Sequence, residues 1–220
     1  MSALYMSKPD GTPVLAAEEK QFNLYQMPYK RIKQFDSGSR GNERFPTQQK
    51  LPTYKPLLKE VIKACEKYRK QKGLPLVKYN IEIKSEASEY GISQPTVAEF
   101  SALVYAEIIA LLPPQRVMLQ SFDWAVLQYW HQQIEQKHYK AIALSALTSD
   151  ALPQVLFEQL GFVPAYYSPY FKLLTSEMIN FCHEKGVKVV PWTVNETTDL
   201  QHIQALGVDG IITDYPDRKP

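Results

Sequence analysis

A short run of alternating charged and apolar side chains, NIEIKSE at positions 80–86, carries the clearest chemistry in the sequence. If this run forms a β-strand, Glu82, Lys84 and Glu86 share one face and the two isoleucines between them share the other. The carboxylate and the ammonium group could form a structural ion pair at the strand end. Alternatively, Glu82 could bind a hard cation such as Mg²⁺ or Ca²⁺, which prefers oxygen ligands, and Lys84 could contact a phosphate. One carboxylate is not a complete metal site, so further ligands would be needed.

Three further candidate positions follow other apolar runs. Trp192 in the run VPWTVN could fill a core, which is the more typical role, or line a pocket. Gln120 could point into an opening at the end of its strand, whereas Asp123 is most simply the N-cap of the helix that follows. The run Tyr-Tyr-Ser at 166–168 is more typical of packing than of recognition.

Several kinds of site are disfavoured by the sequence. All four histidines lie in segments with helical periodicity, which predicts surface helix positions rather than catalysts: His131, His138, His183 and His202. Cys65 and Cys182 also lie in helical patterns, and each is predicted to be a small buried apolar residue rather than a disulfide partner or metal ligand. No nucleophile elbow, metal-binding cysteine pair or phosphate-binding glycine loop is found in the sequence.

The elements that position these residues alternate regularly after residue 55. Six short apolar runs predict strands, at 76–83, 117–121, 141–146, 163–167, 187–194 and 210–213, and capped or amphipathic runs between them predict helices. This alternation predicts a parallel sheet with helices on its faces. The polar candidates then lie at the carboxyl ends of the strands, where both an open doubly wound sheet and a closed barrel bind ligands. Six units do not close an eight-stranded barrel, so two architectures remain: an open sheet, or a barrel with two units missing.

The first 55 residues differ from the rest. They are polar and weakly periodic, and they predict a long irregular excursion with one short helix at 27–35. The 220 residues, 45% of them hydrophobic, are enough for one domain, and the net charge of +2 is too small to predict a nucleic-acid or membrane partner. No apolar run is long enough to form a transmembrane helix, and the N-terminus lacks the pattern of a signal peptide. Cytoplasmic and periplasmic locations both stay open.

Four motifs together resemble the glycerophosphodiester phosphodiesterase family. NIEIKSE at 80–86, LQSFD at 119–123, VVPWTVN at 189–195 and GVDGIITDYPD at 207–217 are similar in order and spacing to that family's third, fourth, seventh and eighth barrel strands. The segment 21–62 resembles the family's insertion between its second strand and second helix.

The resemblance implies an α/β fold, a (β/α)8 TIM barrel of the phosphodiesterase type, whose first two strands are missing from this chain. It predicts one incomplete barrel domain over residues 1–220. Residues 1–55 would be the family insertion and loop region, and residues 56–220 would supply barrel units three to eight.

The resemblance also implies a function and a set of site residues. Members of the family hydrolyse glycerophosphodiesters to glycerol 3-phosphate and an alcohol, with a divalent cation, Ca²⁺ or Mg²⁺. Glu82 matches the metal-ligand glutamate of the third strand, and Lys84 matches the catalytic lysine that faces the phosphate. Trp192 matches the tryptophan that lines the substrate pocket, and Gln120 is expected to contact substrate from its strand end. The expected partner is a small-molecule glycerophosphodiester.

The sequence departs from the family pattern in one respect. The family's His-Arg-Gly, Glu-x-Asp and His-Asp motifs are not found in it, although the family's two histidines act as general acid and base. We therefore expect a truncated member that is inactive as this chain, either because translation is assigned to an internal Met or because the fragment is a genuine remnant with a binding role. A third possibility is a related phospholipase that acts on a lipid phosphodiester by internal attack.

Overall fold

The computed structural model describes residues 1–218, so the last two residues of the predicted 1–220 domain lie outside the described residues. The chain divides into two compact units. The first comprises Met1–Leu76 and Ser88–Thr96, and the second comprises Val77–Ala87 and the chain from Val97 onward. The first unit is largely irregular, whereas the second contains a five-stranded sheet.

The first unit consists mainly of turns around a small apolar cluster. Three buried side chains form this cluster: Met6, Val14 and Phe35. The unit contains the helices α1 (Tyr29–Ile32) and α2 (Leu58–Gln71). The first of these lies within the stretch 27–35 for which the sequence predicts a short helix.

The second unit alternates strands and helices along the chain. Its strands are β1 (Tyr79–Glu82), β2 (Val117–Ser121), β3 (Ala143–Thr148), β4 (Tyr166–Pro169) and β5 (Lys188–Val189). Its helices are α3 (Val97–Leu111), α4 (Trp124–Glu135), α5 (Pro153–Leu160), α6 (Ser176–Glu184) and α7 (Thr197–Ala205). Each pair of consecutive strands is separated by one of these helices, which allows neighbouring strands to run parallel.

The order of the strands decides between the two predicted architectures. The five strands lie side by side in the order β1-β2-β3-β4-β5, and all four pairings are parallel. A doubly wound sheet reverses its strand order at a switch point, whereas a (β/α) barrel adds each strand beside the previous one. The second unit therefore has the strand order of a TIM barrel.

Local sequence signals explain where several helices begin and end. The side chain of Asp123 accepts a hydrogen bond from the backbone N–H of Ala125, so Asp123 is the N-cap of α4 as predicted. Thr175 caps α6 in the same way by accepting from Met178 N. The helix α5 ends at Gly161, whose φ of 76° is a left-handed conformation that glycine adopts without a steric cost.

Of the last two predicted strands, the first is shorter than expected and the prediction of the second is wrong. The run 187–194 forms a regular ladder only at Lys188–Val189, and the run 210–213 forms no regular strand. Ile212 nevertheless donates its N–H to Pro191 O and accepts from Val194 N, both at 2.9 Å. Pro191 has no N–H group, so it cannot donate a hydrogen bond to the run 210–213. The ladder between the two segments is therefore interrupted.

The two cysteines differ from each other. Cys182 of α6 is buried as predicted, and this burial, followed by the nearby carboxylate of Asp209, raises the pKa of its thiol to about 12. The prediction for Cys65 is wrong, because this residue is exposed. The reason is that α2 buries only Ile62 fully, so most of its apolar stripe faces solvent.

Candidate functional site

The carboxyl ends of β1 and β2 bring two predicted site residues side by side. Glu82 is the last residue of β1 and is paired with Gln120 of β2 in the parallel register. Because paired residues of neighbouring strands point to the same face, both side chains project away from the face that carries Ile81 and Leu119. Glu82 is exposed, whereas Gln120 is largely buried.

Lys84 lies on the same face as Glu82, although it follows the end of β1. Exposure alternates along this stretch, since Lys84 and Glu86 are exposed while Ile83 and Ser85 are buried. The extended alternation of the strand thus continues past its last ladder residue. It places Lys84 on the same exposed face as Glu82, as the spacing predicts.

Hydrogen bonds to the neighbouring strand fix this extension. Ile83 donates its N–H to Gln120 O at 3.0 Å and accepts from the hydroxyl of Ser121 at 2.6 Å. Ser85 Oγ donates to Asp123 Oδ2 at 2.7 Å, so the N-cap of α4 also anchors the end of β1. The open face that carries Lys84 is therefore held in place from its buried side.

The side chain of Gln120 is oriented by an asparagine of the neighbouring strand. Asn80 Nδ2 donates to Gln120 Oε1 at 2.7 Å. This bond satisfies the amide oxygen and leaves the NH₂ group of Gln120 as the part that can donate to a ligand.

Trp192 lies at the opposite side of the sheet, beyond the end of β5. Its indole Nε1 donates to Ser168 O at 2.9 Å, and its backbone N–H donates to Pro169 O at 3.0 Å. Its ring meets Phe122 edge-to-face, with centroids 5.0 Å apart and planes at 84°, and it meets Tyr170 at 5.5 Å and 45°. The indole is thus half-buried and held in one orientation by its polar atom.

Small hydroxyl side chains lie between these two sides of the sheet. Ser145 of β3 is paired with Gln120, and its Oγ lies 2.9 Å from Ser168 Oγ of β4. Both serines are fully buried. The adjacent Tyr167 faces the opposite way into the core, where burial raises the pKa of its hydroxyl and that hydroxyl donates to Ala151 O. The packing role predicted for this aromatic run therefore holds for Tyr167.

An asparagine after Trp192 ties down the segment that follows the last predicted strand. Asn195 Nδ2 donates to Asp214 Oδ2 at 2.9 Å, and its Oδ1 accepts from Asp214 N at 3.0 Å and from Thr213 Oγ1 at 3.2 Å. Its backbone oxygen accepts from the guanidinium of Arg218 at 2.7 Å, and this guanidinium covers the ring of Tyr215 at 3.8 Å.

The donor atoms present do not fit a complete metal centre. Among residues 1–218 there is no group of three or more His, Cys, Asp or Glu side chains arranged to hold a metal ion. Glu82 is one carboxylate, whereas Ca²⁺ and Mg²⁺ take six or more oxygen ligands, of which proteins usually supply several. The described residues therefore provide at most part of a hard-cation site.

Three of the four histidines lie in helices as the sequence predicts, but the prediction of a helical position is wrong for His138, because α4 ends at Glu135. His131 lies in α4, His138 follows it, His183 lies in α6 and His202 lies in α7. His183 Nε2 is 2.9 Å from Asp209 Oδ2. Within the part of the chain that the structure describes, no imidazole follows a strand end.

A separate cavity of about 450 Å³ lies beside α7. Its lining includes Leu200, Val208, Ile211 and Tyr215, and it includes none of the four predicted site residues. Its lining also includes Asp209, Thr213 and Arg218, but these three side chains already bond within the fold, so we place the candidate site at the strand ends instead.

Sequence reasoning missed four residues of this region. Asn80 and Ser145 orient or neighbour Gln120, and Phe122 and Tyr170 contact Trp192. The sequence could have indicated Asn80 as a site residue, because it lies two residues before Glu82 and therefore shares its face of the strand. The two aromatic residues each follow a strand directly, which is the position from which a side chain can reach the mouth of a barrel.

Comparison with known proteins places these features in a family. The sequence profile of the glycerophosphoryl diester phosphodiesterase family matches residues 10–218. A glycerophosphodiester phosphodiesterase of Bacillus subtilis (strain 168) is 28% identical over 194 residues, which cover 84% of this chain and 61% of the relative. One of Bacillus altitudinis is 31% identical over 166 residues, covering 74% of this chain and 60% of the relative. The chain thus spans about three-fifths of the length of these curated relatives.

Solved structures show the same fold. A crystal structure from Silicibacter pomeroyi DSS-3, assigned to the glycerophosphoryl diester phosphodiesterases, matches with a TM-score of 0.81 and 28% identity, covering 99% of this chain and 74% of that one. An Oleispira antarctica phosphodiesterase, solved in complex with the product sn-glycerol-3-phosphate, matches with a TM-score of 0.63 and 20% identity. That match covers 88% of this chain and 69% of the Oleispira chain. Among residues 1–218, no helix is long and apolar enough to cross a bilayer.

Proposed function

Because the chain belongs to the glycerophosphoryl diester phosphodiesterase family, we propose that its protein hydrolyses glycerophosphodiesters to glycerol 3-phosphate and an alcohol. In this reaction the oxygen of a water molecule forms a bond to phosphorus and the bond from phosphorus to the alcohol oxygen breaks. One proton from the water ends on the released alcohol, and the second is lost from the phosphate monoester.

One observation carries the proposal. Glu82 and Lys84 are exposed on one face at the end of the first strand, with the buried Gln120 paired beside Glu82, in a chain that the family profile matches from residue 10 to residue 218. An exposed ammonium group at the carboxyl end of a barrel strand is well placed to meet a phosphate, because ligands of this fold bind at that end.

Each of these side chains has a separate task in the proposed complex. The ammonium group of Lys84 donates to phosphate oxygens as a compact positive charge. The free NH₂ group of Gln120 donates to a ligand oxygen, since its carbonyl oxygen already accepts from Asn80. The half-buried ring of Trp192 offers an apolar wall to the carbon atoms of the substrate. The Oleispira enzyme's product, sn-glycerol-3-phosphate, contains both kinds of group, a phosphate and a short carbon chain.

A divalent cation is also part of the proposal, with Glu82 as one oxygen ligand. When bound, such an ion neutralises negative charge on the phosphoryl group. The described residues do not complete its coordination.

We further propose that the 220-residue chain by itself binds the phosphate product but does not turn the substrate over. General acid and base groups accelerate such reactions by about 10²–10⁴-fold, and no imidazole among residues 1–218 follows a strand end. The side chains of Gln120 and Trp192 are nevertheless held in place by hydrogen bonds with neighbouring strands, and Ile83, next to Lys84, is bonded to Gln120 O.

The binding part of the proposal is tested by calorimetric titration of the chain with sn-glycerol 3-phosphate at low ionic strength. Replacing Lys84 by Ala is expected to weaken binding about tenfold, because a hydrogen bond to a charged group is lost. Lys185→Ala is the matched control, since this exposed lysine follows the C-terminus of α6 and leads into the opposite end of β5. Equal affinities for wild type and Lys84→Ala would overturn the assigned task of Lys84.

The catalytic part is tested by incubating the purified chain with glycerophosphocholine and following phosphorus by ³¹P NMR. We expect no conversion with Ca²⁺, with Mg²⁺ or with EDTA. Metal-dependent release of glycerol 3-phosphate would show that the chain is itself an active enzyme. A cyclic phosphate product would instead indicate a phospholipase that works by internal attack.

A further inference from the structure

The helix α2 presents both lysine and apolar side chains to solvent, and we infer that this exposed side of the helix binds the surface of an anionic lipid bilayer. The helix belongs to the first unit, whereas the candidate site is built from residues of the second. The inference therefore goes beyond the proposed hydrolysis and does not depend on it.

Positive charge is concentrated in the segment that contains this helix. Residues 30–72 include 13 lysine and arginine residues but four aspartate and glutamate residues, an excess of nine positive charges. The whole chain has a net charge of +2, so the rest of it is acidic. An uneven charge distribution of this kind is typical of proteins that bind a polyanionic surface, and the net charge of the chain conceals it.

Three of the four acidic side chains in this segment are already bonded within the fold. Glu60 accepts a hydrogen bond from the hydroxyl of Tyr29, and Glu66 accepts from the guanidinium of Arg69. Asp36 accepts from several backbone N–H groups. The carboxylates that could balance the positive charge of the segment are thus already used inside it.

The lysines of α2 form one exposed stripe. Lys63, Lys67 and Lys70 are exposed and lie four and three residues apart, a spacing that places them on one side of a helix. Lys72, which directly follows the helix, is exposed as well. Such long side chains can reach the phosphate groups of lipids from the flank of a helix that lies on a bilayer.

A second stripe with the same spacing is apolar. It consists of Val61, Cys65 and Tyr68, and Val61 and Tyr68 are 40% and 58% exposed. Leu74 and Leu76, which follow the helix in the same unit, are 45% and 67% exposed. Exposed apolar side chains that recur along one side of a helix are typical of an interaction surface, whereas scattered single ones are not.

The two stripes flank the side of α2 that faces solvent. Ile62 is buried, and the exposed Ala64 lies about 200° around the helix from it. The apolar stripe lies on one side of Ala64 and the lysine stripe on the other. A helix with this distribution lies in the plane of a bilayer surface, with its apolar side chains at the boundary of headgroups and acyl chains and its lysines among the headgroups.

The apolar stripe favours a lipid surface over a nucleic acid as the partner. Both partners carry phosphates that attract lysines. Nucleic acids are bound through cationic, polar and aromatic side chains, so aliphatic side chains such as Val61 and Leu76 gain little from them. A bilayer removes the same side chains from water, which is favourable for each of them.

The first test measures co-sedimentation of the chain with vesicles of phosphatidylcholine alone and with vesicles that contain about one-third phosphatidylglycerol. We expect at least about tenfold tighter binding to the anionic vesicles, and a further weakening as salt is added. Replacing the lysine stripe by glutamine is expected to weaken this binding at least about tenfold. The three substitutions are Lys63→Gln, Lys67→Gln and Lys70→Gln.

Two controls accompany this variant. The first removes the same charge at exposed positions outside residues 30–72, through Lys137→Gln, Lys140→Gln and Lys185→Gln. The second is Lys84→Ala, which alters the candidate site and leaves α2 intact. Both are expected to bind anionic vesicles as the wild type does.

A fluorophore on Cys65 reports whether α2 itself contacts the bilayer. Cys65 is exposed, whereas Cys182 is buried and this burial raises the pKa of its thiol to about 12, so a maleimide at neutral pH modifies Cys65 selectively. The emission of an NBD group on Cys65 is expected to shift to the blue with anionic vesicles and not with neutral ones. In the unlabelled chain, the double variant Val61→Ser, Tyr68→Ser should weaken binding at least about threefold. Because both positions are exposed, its thermal midpoint should stay close to that of the wild type.

Several results would overturn the inference. Equal binding to the two kinds of vesicle would exclude an anionic surface, and an equal loss in the lysine control would exclude a special role for α2. Unchanged affinity in the Val61 and Tyr68 variant, or tighter binding to double-stranded DNA than to anionic vesicles, would show a general polyanion-binding surface instead. Loss of vesicle binding in Lys84→Ala would place the lipid contact at the candidate site.

Discussion

Glu82 and Lys84 are separated by one residue, and this spacing alone places both groups on the open face of the sheet. The exposure of residues 82–86 alternates as the strand pattern predicts, even beyond the last ladder residue. The position of Gln120 at a strand end predicts a substrate contact. Its pairing with Glu82 and its bond from Asn80 could not be predicted, because the register between two strands depends on residues far apart in the chain.

The aromatic contacts of Trp192 could not be predicted from the sequence either, because they too join residues far apart in the chain. Trp192 was recognised as either core or pocket wall, and it proved to be half-buried. Its neighbours Phe122 and Tyr170 directly follow β2 and β4, so the three rings come from segments far apart in the chain. Period-two alternation predicts the face of a residue but not its partners on other strands.

Asp36, a carboxylate of the first unit, is predicted to make the stability of the fold depend on pH. Asp36 accepts hydrogen bonds from the side chain of Ser39 and from the backbone N–H of Gly38, with a further bond from Thr53 N. These bonds lower the pKa of Asp36 from 3.8 to about 2. Because the folded pKa lies below the unfolded one, the carboxylate stabilises the fold above pH 3.8. This contribution is lost as pH falls towards 2.

Asp36→Asn is therefore expected to lower the thermal midpoint at pH 7 and to approach wild type as pH falls from about 4 to about 2. Differential scanning calorimetry at a series of pH values measures both effects. Glu43→Gln, an exposed carboxylate in the same unit, is the control and should change the midpoint little at any pH. A pH-independent difference for Asp36→Asn would show that shape, and not charge, explains the effect of the substitution.

At the scale of secondary structure, ends marked by a local chemical signal were predicted best. Asp123, Thr175 and Gly161 each act at a helix end through bonds within a few residues, so the sequence alone contains the information. Strand ends were predicted less well. The run 210–213 forms no regular strand because Pro191 cannot donate an N–H group to it, and a strand predicted from apolar character alone does not take this into account.

Replacing Asn195 is expected to destabilise the fold, because its side chain fixes the segment after the last predicted strand. Asn195→Asp places a second carboxylate against the exposed Asp214 and should lower the free energy of unfolding by about 0.5–1 kcal/mol. Adding Asp214→Asn restores an amide–carboxylate pair with the roles exchanged, so the double variant should recover part of this loss. Urea unfolding of the two single variants and the double variant measures the coupling. A double variant no more stable than Asn195→Asp would contradict a direct interaction.

For the whole molecule, periodicity predicted alternating strands and helices but could not decide between an open sheet and a barrel. Strand order decides between these two architectures. It depends on contacts between segments that are far apart in the chain. The observed order β1-β2-β3-β4-β5 is that of a barrel, in agreement with the family resemblance. The resemblance was essential here, because residue patterns alone supported both architectures.

We propose that Lys84 and Trp192 lie on two sides of one phosphate-binding site at the carboxyl ends of the strands. A crystal structure of the chain with sn-glycerol 3-phosphate tests it most directly. We expect the phosphate oxygens within hydrogen-bonding distance of Lys84 Nζ and the glycerol carbons against the indole of Trp192. Glycerol 3-phosphate seated in the cavity beside α7, with the strand ends unoccupied, would contradict the claim.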